Sequence, residues 1–145
     1  MRVTFYYNYW KNINARAPLF RFGKAHVFSS YFVSESKENC PWMYMSDDKN
    51  GSTYSFSDKV QSTAINCRAS SELYIDNNYF ENIKTAVGHY NGSSDVPGTW
   101  TTKNNTGFVD ETGNSYIPPY EWKSAIKSAS DAKSYVIENA GPKLN

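Results

Sequence analysis

The chain has 145 residues and a formal net charge of +1, from 15 Lys and Arg against 14 Asp and Glu. That balance leaves no global field to draw in nucleic acid or a membrane surface, and no apolar run reaches the roughly 18 residues of a membrane span, so any anion binding has to be local. Aromatics at 17%, with 12 Tyr, favour β structure with polar turns over a helical bundle, and the length bounds the chain to one domain or part of one.

In chain order, Phe5-Tyr6-Tyr7-Asn8-Tyr9-Trp10 is the first of three alike segments, followed by Val27-Phe28-Ser29-Ser30-Tyr31-Phe32 and Ile75-Asp76-Asn77-Asn78-Tyr79-Phe80. Their offsets of 22 and then 48 residues fit one turn and then two turns of a coil, or one turn that bears a long insertion. This is the pattern of a parallel β-helix, in which a rung cannot bury its own apolar face and depends on its neighbours. Asn8, Ser30 and Asn78 would form a polar ladder at one corner, and the aromatic pairs after them would stack in the core.

Between the first two segments, Arg16 and Arg21 flank Pro18. Five apart on a regular strand, they would face opposite sides. Pro18 donates no backbone hydrogen bond and belongs at an edge, bend or bulge, where one extra residue resets the alternation and brings both guanidinium groups to one face. Two such cations suit an anion held between them; the competing reading pairs each arginine with a surface Asp or Glu. Lys24 adds charge close by, and His26 reads as a hydrogen-bonded structural histidine.

From Ser34 to Thr63 the composition is that of a long excursion, with one strand expected at Met43-Tyr44-Met45 and a solvated turn at Asp47-Asp48. Cys40 and Cys67, the only cysteines, leave one disulfide open. Arg68 is expected to pair with Glu72 or Asp76, and the Gly88 to Asn114 stretch reads as polar loop, with Trp100 a plug over the stack. Beyond Pro119 the period becomes helical and predicts short helices over 119–127 and 130–139. Residues 1–117 are thus expected to form rungs and loops, and 118–145 a helical tail packed on them.

The run VTFYYNYWKNINARAPLFRFGKAHVFSSYF, with INCRASSELYIDNNYFENI later on, resembles the C-terminal half of the pectate lyase domain of polysaccharide lyase family 1. The R-x-P-x-x-R unit at Arg16, Pro18 and Arg21 is its specific part. Tyr6 and Tyr7 stand where the family usually has two histidines, and Ser29-Ser30 where it has Asn-Asn. The resemblance implies a partial right-handed parallel β-helix with a short helical C-terminal tail, secreted, its N-terminal rungs missing. It implies cleavage of polygalacturonate by β-elimination, with Arg16 as the catalytic base and Arg21 as a ligand of the substrate carboxylate; Lys24 joins them as a substrate-binding residue for its nearby charge. A guanidinium has a free pKa of roughly 12.5 to 13.8 and serves as a base only in a crowd of cations. Calcium is expected for the full-length enzyme, but its carboxylate ligands belong to the preceding rungs, so no metal ligand is assigned here. The alternatives are a non-catalytic β-solenoid module that binds acidic polysaccharide, and a pectin lyase variant.

Overall fold

The computed structural model describes residues 2–47, 54–56, 59–60, 62–89 and 95–141. Three parallel sheets form the walls of a coil. The first runs β1 (Arg2–Tyr6), β4 (Lys24–Phe28), β9 (Glu72–Asp76) and β12 (Thr99–Lys103). The second holds β2 (Tyr9–Lys11), β5 (Tyr31–Val33) and β10 (Tyr79–Glu81), and the third β3 (Leu19–Arg21), β8 (Thr63–Arg68) and β11 (Thr85–Gly88). The first three rungs contribute one strand to each wall and β12 begins a fourth on the first wall alone, which is the parallel β-helix expected from the repeats.

Pairing of Tyr31 directly with Tyr79 decides between the two readings of the 48-residue offset: it is a single turn bearing an insertion. Within that insertion the expected strand at Met43 is instead a 3-10 turn, Pro41–Tyr44, followed by the antiparallel pair β6 (Met45–Asp47) and β7 (Tyr54–Phe56). Pro41 presets the first turn, and Met43 and Tyr44, adjacent in sequence, are both buried beside Cys40, which an alternating strand would not allow. Asp48 of the expected acidic turn lies outside the described residues. The Gly88 to Asn114 stretch is more regular than its composition suggests. It contains β12, whose Trp100 pairs with Leu73 and packs against the core while its Nε1 donates to Glu111 Oε2 at 2.7 Å.

Inside the coil Trp10, Phe32 and Phe80 stack in register, with centroid separations of 6.0 and 4.6 Å. Tyr9 and Tyr31 stack outside them at 5.3 Å. The corner ladder holds and gains a fourth member: Asn8 N–H donates to Ser30 Oγ, Ser30 N–H to Asn78 Oδ1, and Asn78 N–H to Asn105 Oδ1 at 3.2, 2.9 and 2.9 Å. Tyr7, Ser29, Asn77 and Asn104, one residue earlier in each rung, all adopt left-handed φ between 46° and 56°. No disulfide joins the cysteines: Cys67 lies in the coil interior and Cys40 in the separate cluster of the insertion. Burial pushes the Cys67 thiol up to about 11.

The tail departs from two helices. Only a 3-10 turn at Lys123–Ala125 lies in the first expected span, whereas α1 (Ala129–Asn139) occupies the second. Tyr120 and Trp122 are instead laid against His26 on the outer face of the first sheet, a tertiary contact that overrides local helical preference. Ser128 caps α1 by accepting from the Asp131 N–H, and Asp131 adds favourable charge to the first turn. Lys133 ties the helix to the coil through Glu81, with its ammonium 4.6 Å from the Tyr79 ring centroid.

Asn78 is fully buried and its Nδ2 donates to the Val27 and Asp76 carbonyls, each at 3.0 Å. Asn78→Ala leaves these and the Ser30 N–H unmatched and is expected to cost about 3 kcal/mol. Asn8→Ala, which removes only the exposed bond from Asn8 Nδ2 to the Tyr6 carbonyl, should cost less than about 1 kcal/mol. The comparison is read from urea midpoints at unchanged slope.

The Glu81 carboxyl is held below its usual range by Lys133 first and by the Tyr31 hydroxyl second. A carboxyl lowered in the folded state contributes stability that is present above its unfolded value of about 4.3 and is lost as pH falls through the folded value. The pair is partly exposed, so this amounts to about 1 kcal/mol or less after screening. Unfolding midpoints taken from pH 6 down to pH 3 should therefore fall further in the wild type than in Glu81→Gln.

Candidate active site

Arg16 and Arg21 reach the surface by the slip in alternation expected around Pro18. Ala17 is buried and Phe20 packs inward against the core, three positions apart, where an unbroken strand would space inward residues by two. Arg16 sits in the turn with φ of 62°, and Ala17 N–H and Pro18 C=O bond to β8 at Ala64 and Asn66. The Arg16 side chain is exposed and makes no hydrogen bond or ion pair with any described residue.

Arg21 ends β3 in register with Arg68 on β8, one rung along the third sheet. Asp95 joins the two. Its Oδ2 lies 3.0 Å from Arg21 Nη2 and 2.9 Å from Arg68 Nη2, and its Oδ1 lies 3.2 Å from Arg21 Nη2. For Arg21 the competing reading therefore holds, an ion pair with an acidic side chain, and that side chain bridges Arg21 to Arg68, not to Arg16. The expected partners of Arg68 are engaged on the first sheet, Glu72 with Lys24 and Asp76 with His26, and the corner between the walls separates them from β8. Arg21 stays half exposed at 49%, beside the exposed Phe22 ring.

Lys24 opens β4 just past the Phe22–Gly23 corner. Its Nζ donates to Glu72 Oε2 at 2.9 Å and lies 5.0 Å from the Tyr116 ring centroid. His26, fully buried, is structural as expected. Its Nε2 donates to Asp76 Oδ1 at 2.6 Å, and its Nδ1 lies 2.8 Å from the Tyr120 hydroxyl, which in turn lies 2.6 Å from Thr4 Oγ1. Of the two tyrosines in the histidine positions, Tyr6 stacks on Phe28 at 5.1 Å, and Tyr7 donates to the Ala125 carbonyl and so anchors the tail. Among the described residues no three His, Cys, Asp or Glu side chains converge to hold a metal ion. Asp95 was missed by sequence reasoning because it lies 27 residues from Arg68 in an aperiodic stretch.

A family model for pectate lyase matches residues 1–145. The chain belongs to the pectate lyase family. It is 31% identical to a pectate trisaccharide-lyase of Bacillus licheniformis over 146 residues, covering 96% of this chain and 34% of that protein. It is 27% identical to pectate lyase A of Aspergillus niger over 149 residues, covering 99% of this chain and 36% of that protein. The chain thus spans about a third of the length of these relatives. Among solved structures, a pectate lyase of a Bacillus species in complex with trigalacturonate superposes with a TM-score of 0.67 at 28% identity, over 95% of this chain and 39% of that one. Pectate lyase C of Erwinia chrysanthemi, solved with calcium, shares the fold with a TM-score of 0.62 at 21% identity, over 99% of this chain and 41% of that one.

Proposed function

We propose that this chain carries the arginine-bearing part of a pectate lyase active face, which cleaves polygalacturonate by β-elimination. The observation that carries the reading is the exposure of Arg16 and Arg21 on one turn-and-strand unit, with Arg68 adding positive charge on the same sheet. In this chemistry the C5–H bond, α to the uronate carboxylate, breaks. Its electrons form the C4–C5 double bond, and the C4 oxygen leaves with its bond pair. Arg21 offers a charge-assisted contact to the carboxylate, which stabilises the charge that builds on it as the proton departs. Arg16, held by no other side chain among the described residues, is the group assigned to take the proton. The proton therefore moves from C5 to the Arg16 guanidine nitrogen, and neighbouring cations are what favour a neutral guanidine before the transfer.

Lys24, with its charge shared with Glu72, supplies a peripheral contact to the acidic polymer. The Bacillus relative bound to trigalacturonate supports a galacturonate substrate. Calcium joins the reading through the Erwinia structure solved with it, and carboxylate ligands for it would have to come from beyond the described residues, which hold no cluster of three His, Cys, Asp or Glu. The reading also puts the protein outside the cell, where a polymeric uronide is met. No described helix is long and apolar enough to cross a membrane.

The test is a chimera in which this chain replaces the matching third of the Bacillus licheniformis enzyme, assayed on polygalacturonate by the ultraviolet absorbance of the unsaturated product. Turnover is expected. Arg16→Lys should abolish it and leave binding nearly intact, because lysine keeps the charge but moves the basic atom. Arg21→Ala should also weaken binding, by roughly 1.5 to 3 kcal/mol or about ten- to hundredfold. Full activity of Arg16→Lys would remove Arg16 from the mechanism.

A further inference from the structure

Two guanidinium groups in register on adjacent rungs sit about 4.8 Å apart at the backbone, a separation at which like charges repel unless an anion lies between them. The anion here is Asp95, whose Oδ2 is shared by Arg21 and Arg68. The chain after it is tightly seated. Arg68 and Pro97 form an antiparallel bridge, and Ser70 N–H donates to the Val96 carbonyl at 3.2 Å. Gly98 lies so close that a Cβ would stand 2.3 Å from Cys67 Sγ and 2.8 Å from the Ser71 carbonyl. The Asp95 carboxylate is therefore delivered to the arginine pair by anchored backbone.

The bridge is open on one side. Arg68 is 14% exposed, Asp95 21% and Arg21 49%, so solvent reaches the pair from the Arg21 edge. The bound group is chemically what a polyuronide presents once per sugar, a carboxylate. Resting on the reading above, we propose that Arg21 and Arg68 together form one carboxylate site, that Asp95 fills it in the free protein, and that a uronate carboxylate binds by taking its place. Arg68 is thereby a second substrate-binding arginine, and Asp95 an internal competitor whose removal strengthens binding. A partly exposed ion pair of this kind is screened and exchanges readily, which suits a group that must yield to substrate.

The experiment is calorimetric titration of the chain with trigalacturonate at low ionic strength, for the wild type and for Asp95→Asn, Asp95→Ala, Arg21→Ala and Asp95→Asn combined with Arg68→Ala. Circular dichroism confirms that each variant is folded. Both Asp95 variants should bind about fivefold tighter than the wild type, and the added Arg68→Ala should reverse that gain. Unchanged or weaker binding in both Asp95 variants, or a gain that survives loss of Arg68, overturns the inference. If Arg21→Ala still loses binding in that case, the proposed function stands without it. Absence of binding in every variant, or wild-type affinity in Arg21→Ala, overturns both.

Discussion

Asn78 occupies the point where three rungs are tied at one corner. Its carboxamide accepts from Ser30 on one side, donates to carbonyls of its own and the neighbouring rung, and its backbone N–H meets Asn105 on the other side. A parallel rung has no partner within itself, so both its backbone groups and its apolar face are satisfied only by the rungs above and below. The ladder keeps these rungs in register, and a slip of one residue would turn Trp10, Phe32 and Phe80 out of their stack. The insertion is tolerated because it leaves the coil after β5 on the second wall and re-enters at β8, the next strand of the same rung, on the third. Parallel pairing of β5 with β10 is undisturbed by it.

Register also builds the site. Because β3 pairs with β8 residue for residue, Arg21 and Arg68 are stacked by the same hydrogen bonding that holds the third wall together. The coil brings like charges together across 47 residues of sequence, and Asp95 relieves the conflict from a further strand-like contact. Arg16 escapes this arrangement because the turn before Pro18 leaves it outside the ladder. The two arginines of one motif thus differ in environment: Arg21 is held in an ion pair with Asp95, and Arg16 has no such partner among the described residues.

The outer face of the first wall is closed by the tail. His26 is the hinge of that cover, with Asp76 on one ring nitrogen and Tyr120 on the other, flanked by Tyr74 and Trp122. A fully buried imidazole bonded at both nitrogens is a structural fixture, and it holds Tyr120 against Thr4 on the neighbouring rung. Tyr7 and Ser29 add bonds to Ala125 and Lys127 from the next corner. The tail is therefore bound by polar contacts together with aromatic packing and the buried Ala132 and Val136 of α1, which continues over the tyrosine ladder through Lys133 and Glu81.

The sequence by itself determined the repeat, the corner ladder at Asn8, Ser30 and Asn78, the stacked aromatics, the surface placement of Arg16 and Arg21, and the structural role of His26. Those are properties of one rung, and repeated chemistry at fixed offsets betrays them without knowledge of distant contacts. Only the tertiary structure decided that the 48-residue offset is one turn, that β12 and Asn105 extend the stack, and that Tyr120 and Trp122 lie flat over His26 in place of a helix. It alone brought Asp95 to Arg21 and Arg68. A polar, aperiodic stretch carries no local signal of where it returns, because its path is set by the wall it lands on. Gly98 can approach Cys67 so closely only because Cys67 already sits in the wall, and that approach places Asp95.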